Sequence, residues 1–284
     1  MSVRKIEIET DYGVVSLNFW NGPLFKYKSL DGNGIHHVLE LIRNRLLYFP
    51  KPSILNDPEE CKPNYVLGNY GDPDYRPRVH AWARRCMLGR EPHPSEEEMQ
   101  VELDGLTQEK LDALLPAANA DIHRELDAKM RIMSLSTSAQ NQHLWNEYAC
   151  NHKGIAIELD LRNQLALAQE VIYHDEIRTI DLTDSMSFDD LKKGVLTKTT
   201  IWAPEQEYRY VLQQPRLQGD PELRDDKLLI DERALRSITF GYNTSPAHIT
   251  QIVEAIRAHQ PWVELHQTIG RPPEQHFNRV QYRG

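Results

Sequence analysis

The sequence predicts an α+β protein with mixed, mostly antiparallel central β-sheets flanked by helices. Alternating apolar residues indicate strands, as in the segment 155–159. Apolar residues at i, i+3, i+4 and i+7 indicate an amphipathic helix over residues 35–46. A strand, a helix and a strand in succession over residues 237–269 predict one parallel strand pair joined by a crossover helix.

The chain divides into an extension, one domain and a tail. Residues 1–23 predict an N-terminal β-hairpin extension, because alternating apolar residues flank the turn-forming Asp11-Tyr12-Gly13. Residues 24–270 are expected to form a single α+β domain. Within it, residues 61–131 change in composition and predict a helical insertion. Residues 271–284 are polar and predict a C-terminal tail.

Helices are predicted both inside and outside the insertion. In the insertion, Ser95 followed by Glu98 is a capping-box signature. Two later apolar stripes predict separate helices that meet near Pro116, because proline disrupts a helix interior. Outside the insertion, helices are predicted over residues 138–150 and 187–200.

Composition limits the class of protein. The chain has 284 residues, 40% hydrophobic content and a formal net charge of -9. This size allows a sizeable core, whereas the acidic balance argues against a general nucleic-acid coat. The three cysteines form no CxxC pair, which favours a reducing compartment. No apolar run has the length of a signal peptide or a membrane span, so we expect a cytoplasmic protein with no membrane partner.

The most informative stretch runs from Ile201 to Leu212. From Glu205 onward it alternates as a strand does, which places Glu205, Glu207 and Arg209 on one face and apolar side chains on the other. Three adjacent charges on one face fit a solvated outer surface, an internal ion-pair network or the wall of a polar site. The sequence leaves these alternatives open.

Four segments, in order along the chain, carry a recognisable set of motifs. They are Leu24-Phe-Lys26-Tyr27-Lys-Ser29, residues 47–60 with Asn56-Asp57-Pro58, residues 144–158 with Trp145 and Tyr148, and Lys198 followed by Trp202 and Glu205-Gln-Glu207-Tyr-Arg209. Together they resemble the bacterial family catalogued as domain of unknown function 2971. The resemblance covers residues 24–60 and 132–270, and the family name implies no reaction.

A second resemblance is to the ADP-ribosyltransferase superfamily. Ser136-Thr137-Ser138 ends a predicted strand and Glu205-Gln-Glu207 opens a later one, in the order typical of that superfamily. Those enzymes bind NAD in a cleft between two small sheets, so the resemblance implies a split-sheet core with NAD as substrate. At the first-strand position, where Arg or His is usual, this chain has Lys26 or Tyr27.

The same resemblance implies roles for the acidic residues. Breaking the nicotinamide–ribose bond develops positive charge on the ribose carbon, and a nearby carboxylate stabilises that charge. Glu207 would be that carboxylate, and Glu205 would orient or deprotonate the acceptor. Ser136 would hold the Glu207 carboxylate by a hydrogen bond. The alternative is an ion-pair ladder of Glu205, Glu207 and Arg209 across neighbouring strands.

Further residues are predicted to line the NAD-binding pocket. Asn56 and Asp57 lie in a loop after a strand, and the alternative is a turn in which they satisfy backbone groups. For Trp145 and Tyr148 the alternative is core packing. Lys153 is a candidate phosphate ligand, or an ordinary cation at a helix C-terminus. The predicted set is completed by Lys26, Tyr27, Ser136, Trp202 and Arg209.

Three functions remain open. The first is an NAD-consuming enzyme similar to ADP-ribosyltransferases, which acts in phage defence or as a toxin on an unidentified acceptor. The second is a non-catalytic module that recognises a ligand or partner in the same polar cleft. The third is a metal-dependent nuclease using Asp57, Glu60 and Glu207, which the acidic charge balance disfavours. The sequence has no Walker loop, GxGxxG, HExxH or zinc-spaced cluster, and no metal site is expected.

Overall fold

The computed structural model describes residues 2–10, 13–57, 59–165, 168–176, 179–184, 194–213, 223–269 and 278–282. The helices are α1 (Gly34–Asn44), α2 (Arg76–Leu88), α3 (Glu96–Asp104), α4 (Gln108–Lys129), α5 (Gln142–Glu147) and α6 (Pro246–His259), with 3-10 helices at Pro52–Ile54 and Thr200–Glu205. The strands are β1 (Ser2–Thr10), β2 (Gly13–Asn21), β3 (Leu24–Lys28), β4 (Leu46–Tyr48), β5 (Asn64–Val66), β6 (Met130–Ser136), β7 (Ile155–Leu159), β8 (Gln169–Glu170), β9 (Ile172–His174), β10 (Thr179–Asp181), β11 (Thr197–Thr199), β12 (Glu207–Gln213), β13 (Lys227–Leu229), β14 (Leu235–Phe240), β15 (Glu264–Ile269) and β16 (Asn278–Gln281).

A large sheet organises the described strands. Its order is β1-β2-β8-β12-β6-β3-β7-β14-β15-β16. Neighbouring strands are antiparallel, except that β14 and β15 pair in parallel across α6. The mixed α+β class with a mostly antiparallel sheet is therefore confirmed, as is the predicted parallel pair. Three small sheets pair β4 with β13, β5 with β10 and β9 with β11.

The pairing between β3 and β6 in the large sheet is short. These strands share one paired position, Phe25 opposite Ser136, whereas β6 and β12 pair at seven positions and β3 and β7 at five. Five strands lie on each side of this joint. Beyond Phe25 the strands separate, and Lys26 Nζ donates across the gap to the Ser134 carbonyl at 3.0 Å.

The helices cover this sheet through apolar contacts. α1 packs beside α6, and buried side chains of both helices join the largest core cluster. Phe25, Tyr27 and Trp145 form a second cluster between β3 and α5. The loop after α5 lies close to β3, since a Cβ on Gly154 would be 2.2 Å from the Lys28 carbonyl oxygen. These contacts fix the position of β3, which carries residues of the candidate site.

The insertion is helical but ends earlier than residue 131. It contains α2, α3 and α4, and Met130 already begins β6 in the large sheet. The predicted capping box is confirmed, since Ser95 Oγ accepts from the Glu98 backbone N–H and Glu98 reciprocates. The prediction of two helices meeting near Pro116 is wrong. α4 is one continuous helix with Pro116 inside it, so surrounding contacts outweigh the hydrogen bond that proline forfeits.

The structure also corrects the other helix boundaries. Instead of residues 138–150, only Gln142–Glu147 are helical, followed by a turn with positive φ at three positions. Residues 187–193 of the helix predicted over 187–200 lie outside the described residues. The remainder includes a strand, Thr197–Thr199, which pairs with β9. Hydrogen bonding to a neighbouring strand replaces the helical bonds expected there.

Both ends of the chain reach the large sheet. The predicted N-terminal hairpin is confirmed by the pairing of β1 with β2, and Phe19 joins it to Gln169 of β8. In the C-terminal segment predicted as a tail, Asn278–Gln281 form a strand that pairs with β15, while residues 271–277 lie outside the described residues. Among the described helices, none is long and apolar enough to span a membrane.

Candidate functional site

A cavity of about 370 Å³ lies where β3 and β6 separate. This volume falls within the range of small-molecule sites, which runs from roughly 300 to 1,000 Å³. Lys26 from β3, Asn56 after the first 3-10 helix, Ser136 from β6 and Glu207 from β12 all line it. Four residues predicted from distant parts of the sequence therefore meet at one cavity.

Lys198 of β11 joins the two acidic residues of the cavity wall. Its Nζ lies 2.7 Å from Glu205 Oε2 and 3.1 Å from Glu207 Oε2. The 3-10 helix between β11 and β12 reverses the chain and ends at Gln206, which has a φ of 50°. This left-handed residue allows the carboxylates on either side of it to reach the same ammonium group. The strand therefore begins at Glu207 and not at Glu205, yet both carboxylates face one cation.

Arg209 holds Glu207 from the side away from the cavity. It is fully buried, and its Nε and Nη2 lie 2.7 and 3.2 Å from Glu207 Oε1 and Oε2. The guanidinium also pairs with Glu60, and Nη1 donates to the Val195 carbonyl at 2.5 Å. A solvated outer face is therefore wrong for this segment. The charges form a buried ion-pair network whose inner members are also a wall of the cavity.

Burial and neighbouring charges shift the pKa values of the network residues in opposite directions. Burial raises the pKa of the Glu207 carboxyl to about 7, although the nearby Lys198 ammonium favours ionisation. Burial alone lowers the pKa of Lys198, but Glu207 and Glu205 outweigh it, and the net pKa lies above the usual lysine value. Lys198 therefore stays charged, and Glu207 changes charge close to neutral pH.

Lys26 has a different environment from Lys198. Burial lowers its pKa to about 8, with only partial opposition from Glu207. Its ammonium nitrogen contacts the Ser134 carbonyl and lines the cavity. A lysine with this pKa is a mixture of charged and neutral amine at mildly alkaline pH, so Lys26 is available as a hydrogen-bond partner for a ligand.

The serine that influences Glu207 is not the predicted one. Although burial has the larger, opposite effect, Ser134 lies close enough to the Glu207 carboxyl to lower its pKa. Ser136 is 1% exposed and lines the cavity, but its Oγ has no hydrogen-bond partner among the described residues. The expected hydrogen bond from Ser136 to Glu207 is therefore absent from the described part of the chain. Because buried hydroxyls are nearly always paired, the Ser136 hydroxyl is suited to a ligand.

Two tyrosines border the cavity in different ways. Tyr148 donates its hydroxyl hydrogen to Glu205 Oε1 at 2.5 Å, and burial raises its pKa so that it stays protonated. Tyr27 donates to the Ser138 carbonyl at 2.8 Å and accepts from the Asn141 backbone N–H at 3.0 Å. Both hydroxyls are occupied, so these residues offer the cavity mainly their rings.

Other predicted residues lie away from the cavity. Trp145 is fully buried and donates Nε1–H to the Ala139 carbonyl at 2.9 Å, which fits the core alternative. Lys153 is exposed and does not line the cavity. Asp57 lines a smaller recess beside Lys198, where its Oδ1 accepts from the Glu59 backbone N–H at 3.0 Å. The predictions of Trp145, Lys153 and Asp57 as direct ligands of this cavity are therefore not met.

Trp202 and Arg209 act on the site through other residues. The Trp202 ring centroid lies 5.0 Å from Lys198 Nζ, a cation–π contact, but the ring does not line the cavity. Arg209 contacts Glu207 on its far side. The predicted residues that do line the cavity are Lys26, Tyr27, Asn56, Ser136, Tyr148, Glu205 and Glu207.

Lys198 is the main residue that the list of predicted ligands omits. It is 5% exposed and contacts both acidic residues of the cavity. The sequence did point to this residue, because Lys198 followed by Trp202 is one of the motifs that carry the family resemblance. The helix predicted over residues 187–200 concealed it, because Lys198 lies in the strand β11 and not in a helix.

The cavity has a buried end and a solvent end. At the buried end, the network contains three carboxylates, Glu60, Glu205 and Glu207, and two permanent cations, Lys198 and Arg209. The solvent end is more apolar and basic, and its lining includes Lys28, His37, Leu46, Tyr48 and Ile54. The arrangement suits a ligand with two different ends. One end would lie beside the carboxylates of the buried network, and the other, which prefers positive charge, would lie beside the basic residues.

No family model, curated protein or solved structure matches this chain. The resemblances to the domain of unknown function 2971 family and to ADP-ribosyltransferases therefore stay predictions. Among the described residues, no group of three His, Cys, Asp or Glu side chains is placed to hold a metal ion.

Proposed function

We propose that the protein is an NAD-consuming enzyme similar to ADP-ribosyltransferases, with a role in phage defence or as a toxin. The observation that carries this proposal is the meeting of Lys26, Asn56, Ser136 and Glu207 at one cavity. The β3–β6 pairing lies at the same place, with five strands on each side of a single paired position. That arrangement supports a cleft between two halves of a split sheet.

The charge of the buried end suits the bond to be broken. In NAD the nicotinamide ring is cationic, and when the bond to ribose breaks, the electron pair leaves with nicotinamide. Positive charge then develops on the ribose carbon. In its ionised form, Glu207 stabilises that charge. Arg209 and Lys198 hold the carboxylate in a fixed orientation, so little reorganisation accompanies the reaction.

Other cavity residues bind the substrate and prepare the acceptor. The unpaired Ser136 hydroxyl bonds a ribose hydroxyl, and the Asn56 amide offers both a donor and an acceptor. Glu205 receives the proton of the acceptor nucleophile, which adds to the ribose carbon as nicotinamide departs. Tyr148 keeps the Glu205 carboxylate oriented through its hydroxyl. The acceptor is water or a macromolecule with a nucleophilic side chain or base.

Nicotinamide release tests this proposal. The purified chain is incubated with NAD carrying a labelled nicotinamide, alone and with protein or nucleic-acid acceptors. Glu207→Gln should lower release by roughly 100-fold or more, as expected for loss of a charge that stabilises the transition state. Glu254→Gln is the matched control, because Glu254 is an exposed residue on α6.

Loss of folding must be separated from loss of chemistry. Glu207 belongs to a buried ion network, so its variant is examined by thermal unfolding in parallel. Ser136→Ala gives a second variant that removes a cavity hydroxyl without disturbing an ion pair, and it should raise the KM for NAD. If the wild-type chain releases no nicotinamide, and NAD leaves its melting temperature unchanged, the proposal is refuted.

A second candidate function is a non-catalytic module that recognises a ligand in the same cavity. It is favoured by the pairing of both Glu205 and Glu207 with Lys198, since paired carboxylates are common where a site is only structural. In that case Glu207→Ala retains biological activity if the variant folds, while substitution of Lys26 or Trp202 weakens binding. The nuclease hypothesis stays a prediction, tested by divalent-ion-dependent cleavage of DNA or RNA.

A further inference from the structure

We propose that Lys28 and His37 form a phosphate-binding subsite at the solvent end of the cavity. A ligand would then place its phosphate beside these two residues and its uncharged or cationic end beside Glu207. This inference deepens the proposed function and uses the same cavity, but it concerns binding and not bond cleavage.

The backbone places the two basic side chains at one end. Lys26 and Lys28 are two positions apart in β3, so their side chains leave the same face of the strand. Both line the cavity, Lys26 near the buried network and Lys28 one strand step further out. His37, on α1, is an exposed lining residue, and its ring stacks on Tyr48 with centroids 6.2 Å apart and planes at 29°.

The charges at this end are not balanced by carboxylates. Lys28 is partly buried and has no ion-pair partner among the described residues. Glu40 lines the same end, but Lys227 Nζ lies 2.6 Å from its Oε1. The electrostatic influence of Lys28 reaches both neighbouring bases, since it helps to lower the pKa of Lys26 and of His37. A bound anion would relieve the mutual repulsion of these groups.

Phosphate fits this environment better than a single carboxylate. It carries more negative charge and presents several acceptor oxygens, enough for an ammonium and an imidazole N–H together. The lining also includes the apolar residues Val38, Leu41 and Leu47, which suit an uncharged middle part of a ligand. The chemical class is therefore a phosphate ester whose other end is neutral or cationic, such as a nucleotide.

Calorimetric titration with ADP, adenosine and inorganic pyrophosphate tests the subsite without any reaction. The buffer contains EDTA so that divalent ions do not mask the phosphates. The wild-type chain should bind ADP more tightly than adenosine. Lys28→Gln should weaken ADP binding by roughly 10- to 100-fold and leave adenosine binding unchanged, as expected for loss of a hydrogen bond between charged groups.

Two comparisons make the result decisive. Lys153→Gln removes an exposed lysine outside the cavity and should leave the affinity for ADP unchanged. His37→Gln should also weaken ADP binding, as Lys28→Gln does.

Pyrophosphate binding that depends on Lys28 would show that the phosphates suffice, whereas ADP binding without pyrophosphate binding would show that the nucleoside contributes as well. Either result supports the subsite.

The inference is overturned if ADP does not bind, or if Lys28→Gln keeps the wild-type affinity for ADP. Its failure differs from failure of the proposed function. Absence of nicotinamide release with Lys28-dependent binding of ADP would refute the enzymatic proposal alone. Release that depends on Glu207, with a KM for NAD unaffected by Lys28→Gln, would refute the phosphate subsite alone.

Discussion

Replacing Lys198 with methionine should destabilise the protein strongly, because it leaves two buried carboxylates without their shared cation. Lys198 is 5% exposed, and its Nζ lies 2.7 Å from Glu205 and 3.1 Å from Glu207. Removing one partner from a buried ion pair costs about 3–5 kcal/mol. For a chain of this size, that corresponds to a fall in melting temperature of roughly 6–20 °C.

The pH dependence of this destabilisation has a defined sign. In the wild-type protein, burial already raises the pKa of Glu207 from 4.5 to about 7. Without the Lys198 cation its folded-state pKa rises further, while its pKa in the unfolded chain is unchanged. Protonation then favours the folded variant. The part of the Lys198→Met stability deficit that comes from Glu207 should therefore be largest above pH 7 and vanish as the pH falls below about 7, where Glu207 is protonated in both folded proteins.

Thermal unfolding followed by circular dichroism between pH 4.5 and 8 measures both effects. Lys129→Met is the control, because Lys129 forms an exposed ion pair with Glu125 on α4 and should change stability by less than about 1 kcal/mol. A melting temperature for Lys198→Met equal to that of the wild type at pH 8 would refute the account of the network.

Three further predictions concern single substitutions or side chains. Arg209→Met should destabilise the chain by about 3–5 kcal/mol in chemical denaturation, because Glu207 loses its second cationic partner. An unchanged midpoint of the denaturation curve would contradict this. Lys26 should react with amine-specific labels with an apparent pKa near 8, not near the 10.5 of an ordinary lysine, as followed by mass spectrometry over pH; titration near 10.5 would contradict its burial. Gly241→Ala should lower the melting temperature at a cost of about 1–3 kcal/mol, since the added Cβ would lie 2.1 Å from the His152 carbonyl oxygen; wild-type melting would contradict that close approach.

Local patterns allowed much of the fold to be predicted. The alternation at residues 155–159, the stripe of α1 and the capping box at Ser95 are each set by neighbours within a few positions, and each is confirmed. For the charged face around Glu207, the sequence left open a solvated surface, an ion-pair network and the wall of a polar site. Periodicity alone could not say whether the partner of that face was water, a ligand or another side chain.

The features that the sequence did not predict depend on contacts between residues that are far apart along the chain. The gap between β3 and β6 involves residues more than 100 positions apart, and no local pattern encodes it. The helix predicted over residues 187–200 includes Lys198, whereas pairing of β11 with β9 makes this residue part of a strand. Ser134 and Ser136 lie on the same face of β6, so the sequence could not tell which of them influences Glu207.

The single backbone pairing between Phe25 and Ser136 has a mechanical consequence. A sheet continuous through many ladder hydrogen bonds has a spacing fixed at about 4.8 Å, and it cannot widen without breaking them. Beyond that pairing, β3 is joined to β6 and the segment after it through side chains, from Lys26 to the Ser134 carbonyl and from Tyr27 to the Ser138 carbonyl. Because a side chain changes rotamer far more readily than a ladder breaks, widening the sheet at this point costs less than it does where neighbouring strands share a longer ladder.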